Sequence, residues 1–157
     1  MNEKNIADAI EGHLDQLMES WSQSVRDDPR IESDAKLSNP ELIDHVPAIV
    51  QEICALIRHG ETPDVHNSHE ARANAYTRFH QGYNGRDLVR ELSLLRIELL
   101  DYLTKIASDK SLGIDEESRH QAAKILNLYL DEEMRFAISI YSNPQGSAQP
   151  QPAQSES

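Results

Sequence analysis

Residues 78–96 read RFHQGYNGRDLVRELSLLR, and this stretch decides the fold. Two glycines, Gly82 and Gly85, punctuate it and end one helix. The Asn84-Gly85 turn then starts a second, expected over residues 86–107. On a wheel of about 100° per residue, Leu88, Leu92, Leu95, Leu99, Tyr102, Leu103 and Ile106 fall on one stripe, the core face. Glu91 and Arg96 lie on opposite borders of that stripe, where a side chain can pack its stem on the core and carry its head group to a partner or to water. Leu94 and Ile97 fall on the far side. Two large aliphatics there mean either a central helix covered on several sides or a contact with another chain.

Working outward, the rest of the chain also reads as helix. Ile6, Ile10, Leu14, Leu17, Trp21 and Val25 recur at three- and four-residue spacing and predict one helix over 4–27, ended by Asp28-Pro29. Ser38 and Glu41 have capping-box spacing, with Pro40 in the first turn. Pro47 then requires a short helix to about residue 45 and a restart. The restart, to Arg58, is apolar enough to be deeply buried. A turn-rich loop, HGETPDVHNS, follows. The next helix is expected over 68–81 with Ser68 as its N-cap, and the last over 115–142 from an acidic start, Asp115-Glu116-Glu117, suited to a helix amino terminus. Residues 143–157 are polar and of low complexity and are expected to form a disordered tail or linker. The expectation is an all-α bundle of about five helices over 1–142, with globin-like packing as one arrangement open to it.

At 157 residues the chain has the length of one domain. Its formal charge is -12, from 27 acids and 15 bases, which disfavours phosphate backbones and anionic lipid. No apolar run approaches the roughly 20 residues that cross a bilayer, and the start lacks the apolar core of a signal peptide. These features argue for a cytoplasmic protein that binds neither nucleic acid nor membrane. The single cysteine, Cys54, sits among aliphatics and is read as a buried thiol.

The stretches LSNPELIDHVPAIVQEICALI, RFHQGY and LVRELSLLR, in that order, resemble the RsbRD-type amino-terminal domain, the helical input module of RsbT co-antagonists and of bacterial sensor histidine kinases. The resemblance rests on Trp21, on His45 and Pro47, on Arg78 four residues before Gly82-Tyr83, and on Arg90, Glu91, Leu95 and Arg96. It covers most of residues 10–142. One departure stands out: many members have histidine where this chain has Asn74. The resemblance implies a non-enzymatic signalling role in which changes of helix packing are relayed to an output domain. Taken with the outward apolar pair, the expectation is a module that works without a cofactor, through protein contacts and as a homodimer, with a small-ligand- or metal-binding helical sensor as the alternative.

Other chemistry is thinly represented. His66 and His69 form an H-x-x-H pair near Asp64, a weak candidate for zinc, with exposed or capping histidines as the plainer reading. His69-Glu70-Ala71-Arg72 and His80 offer weak phosphotransfer candidates. No phosphate-binding glycine loop, nucleophile elbow or Ser/His/Asp set is present, so an enzyme is not expected. Arg78, Glu91 and Arg96 are read instead as interhelical ion pairs or as donors to carbonyls at the 82–85 break. The outward apolar pair Leu94 and Ile97 is the candidate interface.

Overall fold

The computed structural model describes residues 2–142; the expected tail, 143–157, lies outside the described residues. The fold is all-α, as the periodicity requires. Seven α-helices occur among the described residues: α1 (Asn2–Gly12), α2 (Leu14–Asp27), α3 (Asn39–Ile43), α4 (Val46–His59), α5 (His69–His80), α6 (Gly85–Ala107) and α7 (Glu116–Ser142). Short 3-10 turns at Ser33–Lys36 and Lys110–Leu112 complete it. The long α6 and α7 pack along each other, and α5 lies against α7, α1 against α4, and α2 against α6.

The predicted first helix is broken in two. The break falls at His13, after Gly12, a residue that weakens a helix. There the His13 ring lies flat on Tyr102 of α6, with centroids 4.4 Å apart. The Ser38–Glu41 capping box forms: the Ser38 side chain accepts from the Glu41 amide, and the Glu41 carboxylate accepts from the Ser38 amide. The chain then turns at Asp44 and His45, and Pro47 occupies the first turn of α4.

The expected N-cap of α5 is corrected. The Ser68 side chain makes no cap; its hydroxyl donates to the Asp64 carbonyl instead. The capping acceptor comes from α4, where the Glu52 carboxylate takes the amides of His69 at 3.1 Å and Glu70 at 2.9 Å. The Tyr129 hydroxyl of α7 donates to the same carboxylate. A helix amino terminus needs acceptors and favours negative charge, so one glutamate ties three helices together. The aliphatic core closes around Trp21, Ile49, Ile53, Leu88, Leu92 and Tyr129.

Candidate functional site

The distinctive feature of this core is that it is not purely apolar. Asn74 and Arg78 of α5, Glu91 of α6 and Glu133 of α7 are all 0% exposed. The chain builds their setting from the α5–α6 break. Gly82 adopts φ +79°, the left-handed region open to glycine. This folds the chain back so that the Tyr83 amide donates to the Arg78 carbonyl at 2.9 Å. The Tyr83 ring then lies beneath the Arg78 guanidinium, 4.9 Å from it. Asn84 caps α6 by accepting from the Asp87 amide, and Asp87 reaches out to accept from the Ser33 amide and hydroxyl.

Arg78 uses all three nitrogens of its fork. Its Nε donates to Glu91 Oε2 at 2.7 Å. Nη2 donates to the Leu42 carbonyl at 2.6 Å, and Nη1 donates to the Glu41 carbonyl at 3.3 Å and to Gln81 Oε1 at 3.0 Å. The carbonyls it serves therefore close α3, and are not those of the 82–85 break that the sequence suggested. Of the two ends open to the Glu91 head group, a partner or water, it meets the partner: it is fully buried in the interhelical ion pair with Arg78. The Trp21 indole of α2 donates to the Glu91 carbonyl at 3.0 Å. Burial pushes the Glu91 carboxyl above the usual range, and Arg78 pulls against that shift.

Glu133 has a poorer environment. Among the described residues its one hydrogen bond is to Oε2, from Asn74 Nδ2 at 2.8 Å. Glu133 Oε1, Asn74 Oδ1, Glu91 Oε1 and the Tyr83 hydroxyl find no partner of good geometry among those residues. The Tyr83 hydroxyl nevertheless lies close enough to the Glu91 carboxylate for burial and that charge together to raise the phenol's proton affinity. Glu133 is pushed up to about 8, by burial first and then by the charge of Glu91, against opposing pulls from Asn74 and Arg78.

The remaining sequence candidates lie elsewhere. Arg96 is half-buried and bridges to α7, donating to Asn127 at 2.7 Å and to Asp131 at 2.8 Å. Leu94 is partly buried against the core, whereas Ile97 is 50% exposed. His45 lies 3.0 Å from the Thr77 hydroxyl of α5, and Pro47 stays within the first turn of α4. His66 and His69 flank the start of α5, and among the described residues no group of three or more His, Cys, Asp or Glu is placed to hold a metal ion. Glu133, Gln81 and Glu52 escaped the sequence reading. Glu133 had a signal: it lies on the α7 stripe of Ala122, Leu126, Tyr129, Leu130, Ala137 and Ile140. An acid on an apolar stripe requires a buried partner.

An all-α bundle held by a buried arginine–glutamate pair, with its tryptophan bonded to the same segment, is a helical module organised around a polar core. The chain belongs to the family described as the RsbT co-antagonist protein rsbRD N-terminal domain, whose model matches residues 9–148. No curated protein and no solved structure matches it. Among the described residues no helix is long and apolar enough to cross a membrane.

Proposed function

We propose that this chain is a non-enzymatic input or adaptor domain of bacterial stress or two-component signalling, working in the cytoplasm through helix-mediated protein contacts and as a homodimer. The family match over residues 9–148 is the observation that carries this reading. The surface offers a place for such contacts. Ile97 of α6 and Ile138 of α7 are 50% and 59% exposed on two helices that pack side by side. Ile138 also lines an open groove of about 450 Å³ with Val89, Ala137 and Tyr141. Leu94 contributes less than Ile97, since the core already covers part of it.

The test replaces the gene by one carrying Ile97→Glu and follows a stress-response reporter, with light scattering of the purified proteins in parallel. The expected result is a dimeric wild type, a monomeric and still folded variant, and loss of the reporter response. A monomeric wild type removes the homodimer. A reporter unaffected by deleting the whole gene removes the signalling role.

A further inference from the structure

Two buried carboxylates and one guanidinium meet in this core, and the guanidinium's hydrogen bonds go to groups other than Glu133. Every polar nitrogen of Arg78 is already engaged, by Glu91, by the carbonyls of Glu41 and Leu42, and by Gln81. Among the described residues no cation bonds to Glu133, and its only donor is the neutral amide of Asn74. One carboxyl oxygen of Glu133 and the amide oxygen of Asn74 both lack a donor among those residues. A buried carboxylate without a countercharge is so costly that it takes up a proton instead.

One proton meets each of these needs. It removes the isolated charge and ends the repulsion with Glu91. It also turns one Glu133 oxygen into the donor that Asn74 Oδ1 lacks. A carboxylic acid and a carboxamide are matched for two-point pairing: the amide N–H donates to one carboxyl oxygen, and the acid O–H donates back to the amide oxygen. We infer that Glu133 is held as a neutral acid in the folded bundle, paired at two points with Asn74, and that this pair is a proton-dependent latch between α5 and α7. The latch stands on the buried cluster alone and does not depend on the signalling reading.

The groups that face Glu133 are few, and each can be assigned a sign. From α5 come Asn74, which bonds to it, and Arg78, whose charge favours the ionised form. From α6 comes Glu91, whose charge opposes ionisation. One turn back on α7, Tyr129 is neutral and gives its hydroxyl to Glu52 of α4. Burial and Glu91 together prevail, and the proton affinity of Glu133 rises to about 8.

The direction of the effect follows. A glutamate in the unfolded chain ionises near its ordinary value of 4.5. Between that value and about 8 the folded chain holds a proton that the unfolded chain has lost. Folding is therefore favoured on the acid side of the window. The unfolding equilibrium constant gains up to about tenfold per pH unit as pH rises through it. Above the window the carboxylate ionises in place, Asn74 Oδ1 loses its donor, and the seam between α5 and α7 loosens.

Urea denaturation of the full chain and of Glu133→Gln from pH 5.5 to 8.5 tests the latch. Glutamine offers Asn74 a permanent N–H and a permanent carbonyl, so it closes the same two-point pair without titrating. The ratio of the two unfolding constants, wild type over variant, is expected to climb by about tenfold per pH unit below the Glu133 midpoint and to level off above it. A ratio flat across the range overturns the latch. Carbon-13 NMR of glutamate-labelled wild type keeps the question decidable if the variant fails to fold. One carboxyl titrating with a midpoint above about pH 6.5 supports the latch, because model glutamates titrate near 4.3. If every glutamate carboxyl titrates below about pH 5.5, well under that midpoint, the latch is overturned. So it is if the high-midpoint resonance survives Glu133→Gln and vanishes in Glu91→Gln, since the proton then sits on the other acid.

Discussion

Replacing Arg78 by methionine should be among the most damaging single changes available in this chain, and the reason is what the change strands. Arg78 is 0% exposed and so is its partner Glu91. Methionine fills similar space with an apolar stem, so the aliphatic contacts largely survive. What goes is the 2.7 Å bond to Glu91 and the donors to the Leu42 and Glu41 carbonyls. Removing one member of a buried ion pair typically costs about 3–5 kcal/mol, because the other charge stays behind unpaired. An orphaned buried carbonyl adds roughly 1–3 kcal/mol, and the contact with the Tyr83 ring about 1 more. These contributions overlap, so a total near 5 kcal/mol is expected, against the 5–15 kcal/mol that holds a domain of this kind together.

The double variant Arg78→Met plus Glu91→Leu separates the mechanisms. It removes the stranded charge and keeps only the carbonyl loss. It should recover at least about 2 kcal/mol relative to the single change, since apolar replacement of a whole buried pair is often nearly neutral. Trp21 is a built-in reporter, being fully buried and bonded to the Glu91 backbone. Urea titration followed by its fluorescence gives both midpoint and slope, and an unchanged slope licenses the comparison. At about 2–4 °C per kcal/mol for a chain of this length, the single variant should melt some 10–20 °C lower. A loss under about 1 kcal/mol for the single change would refute the reasoning. So would a double variant no more stable than the single.

Two further outcomes follow from other parts of the fold. Burial pushes the Cys54 thiol up to about 12, so at pH 8 a thiol reagent should modify the native protein at a rate set by its unfolding, with complete and rapid reaction only in denaturant. Reaction of native protein at the rate of a free thiol would contradict the packing of α4. Glu52→Ala should cost about 2 kcal/mol, from the lost cap of α5 and the stranded Tyr129 hydroxyl. Hydrogen exchange should show the first turn of α5 opening before the rest of that helix, and protection there equal to wild type would count against the cap.

The helices were legible because their signals are local. The three- and four-residue spacing and the Ser38–Glu41 box each depend on residues within one turn of one another, and the box forms where the pattern places it. Errors arose where a partner lay far along the chain. Ser68 looked like the cap of α5 because it stands at the right position, but Glu52, seventeen residues from His69, supplies a charged acceptor. The Arg78–Glu91 ion pair was expected, but its burial was not, because a wheel shows one helix alone and misses what α5 and α2 bring to Glu91.

The central cluster fell between these cases. No spacing rule pairs Asn74 with Glu133 across 59 positions. Yet the sequence already held a statement about it, in the identity of the residues that share the apolar faces. On α5, α6 and α7 the charged residues with no exposure at all are Arg78, Glu91 and Glu133, two acids to one base. A core must be close to electrically neutral to be stable. A surplus acid on such a face therefore implies a missing positive charge, and with Arg78 already shared out among Glu91 and three neutral acceptors, the smallest cation that fits is a proton. Of the three charged residues, Glu133 on the α7 stripe is the one that periodicity places in the core by itself, whereas the burial of Arg78 and Glu91 follows only from the packing of neighbouring helices.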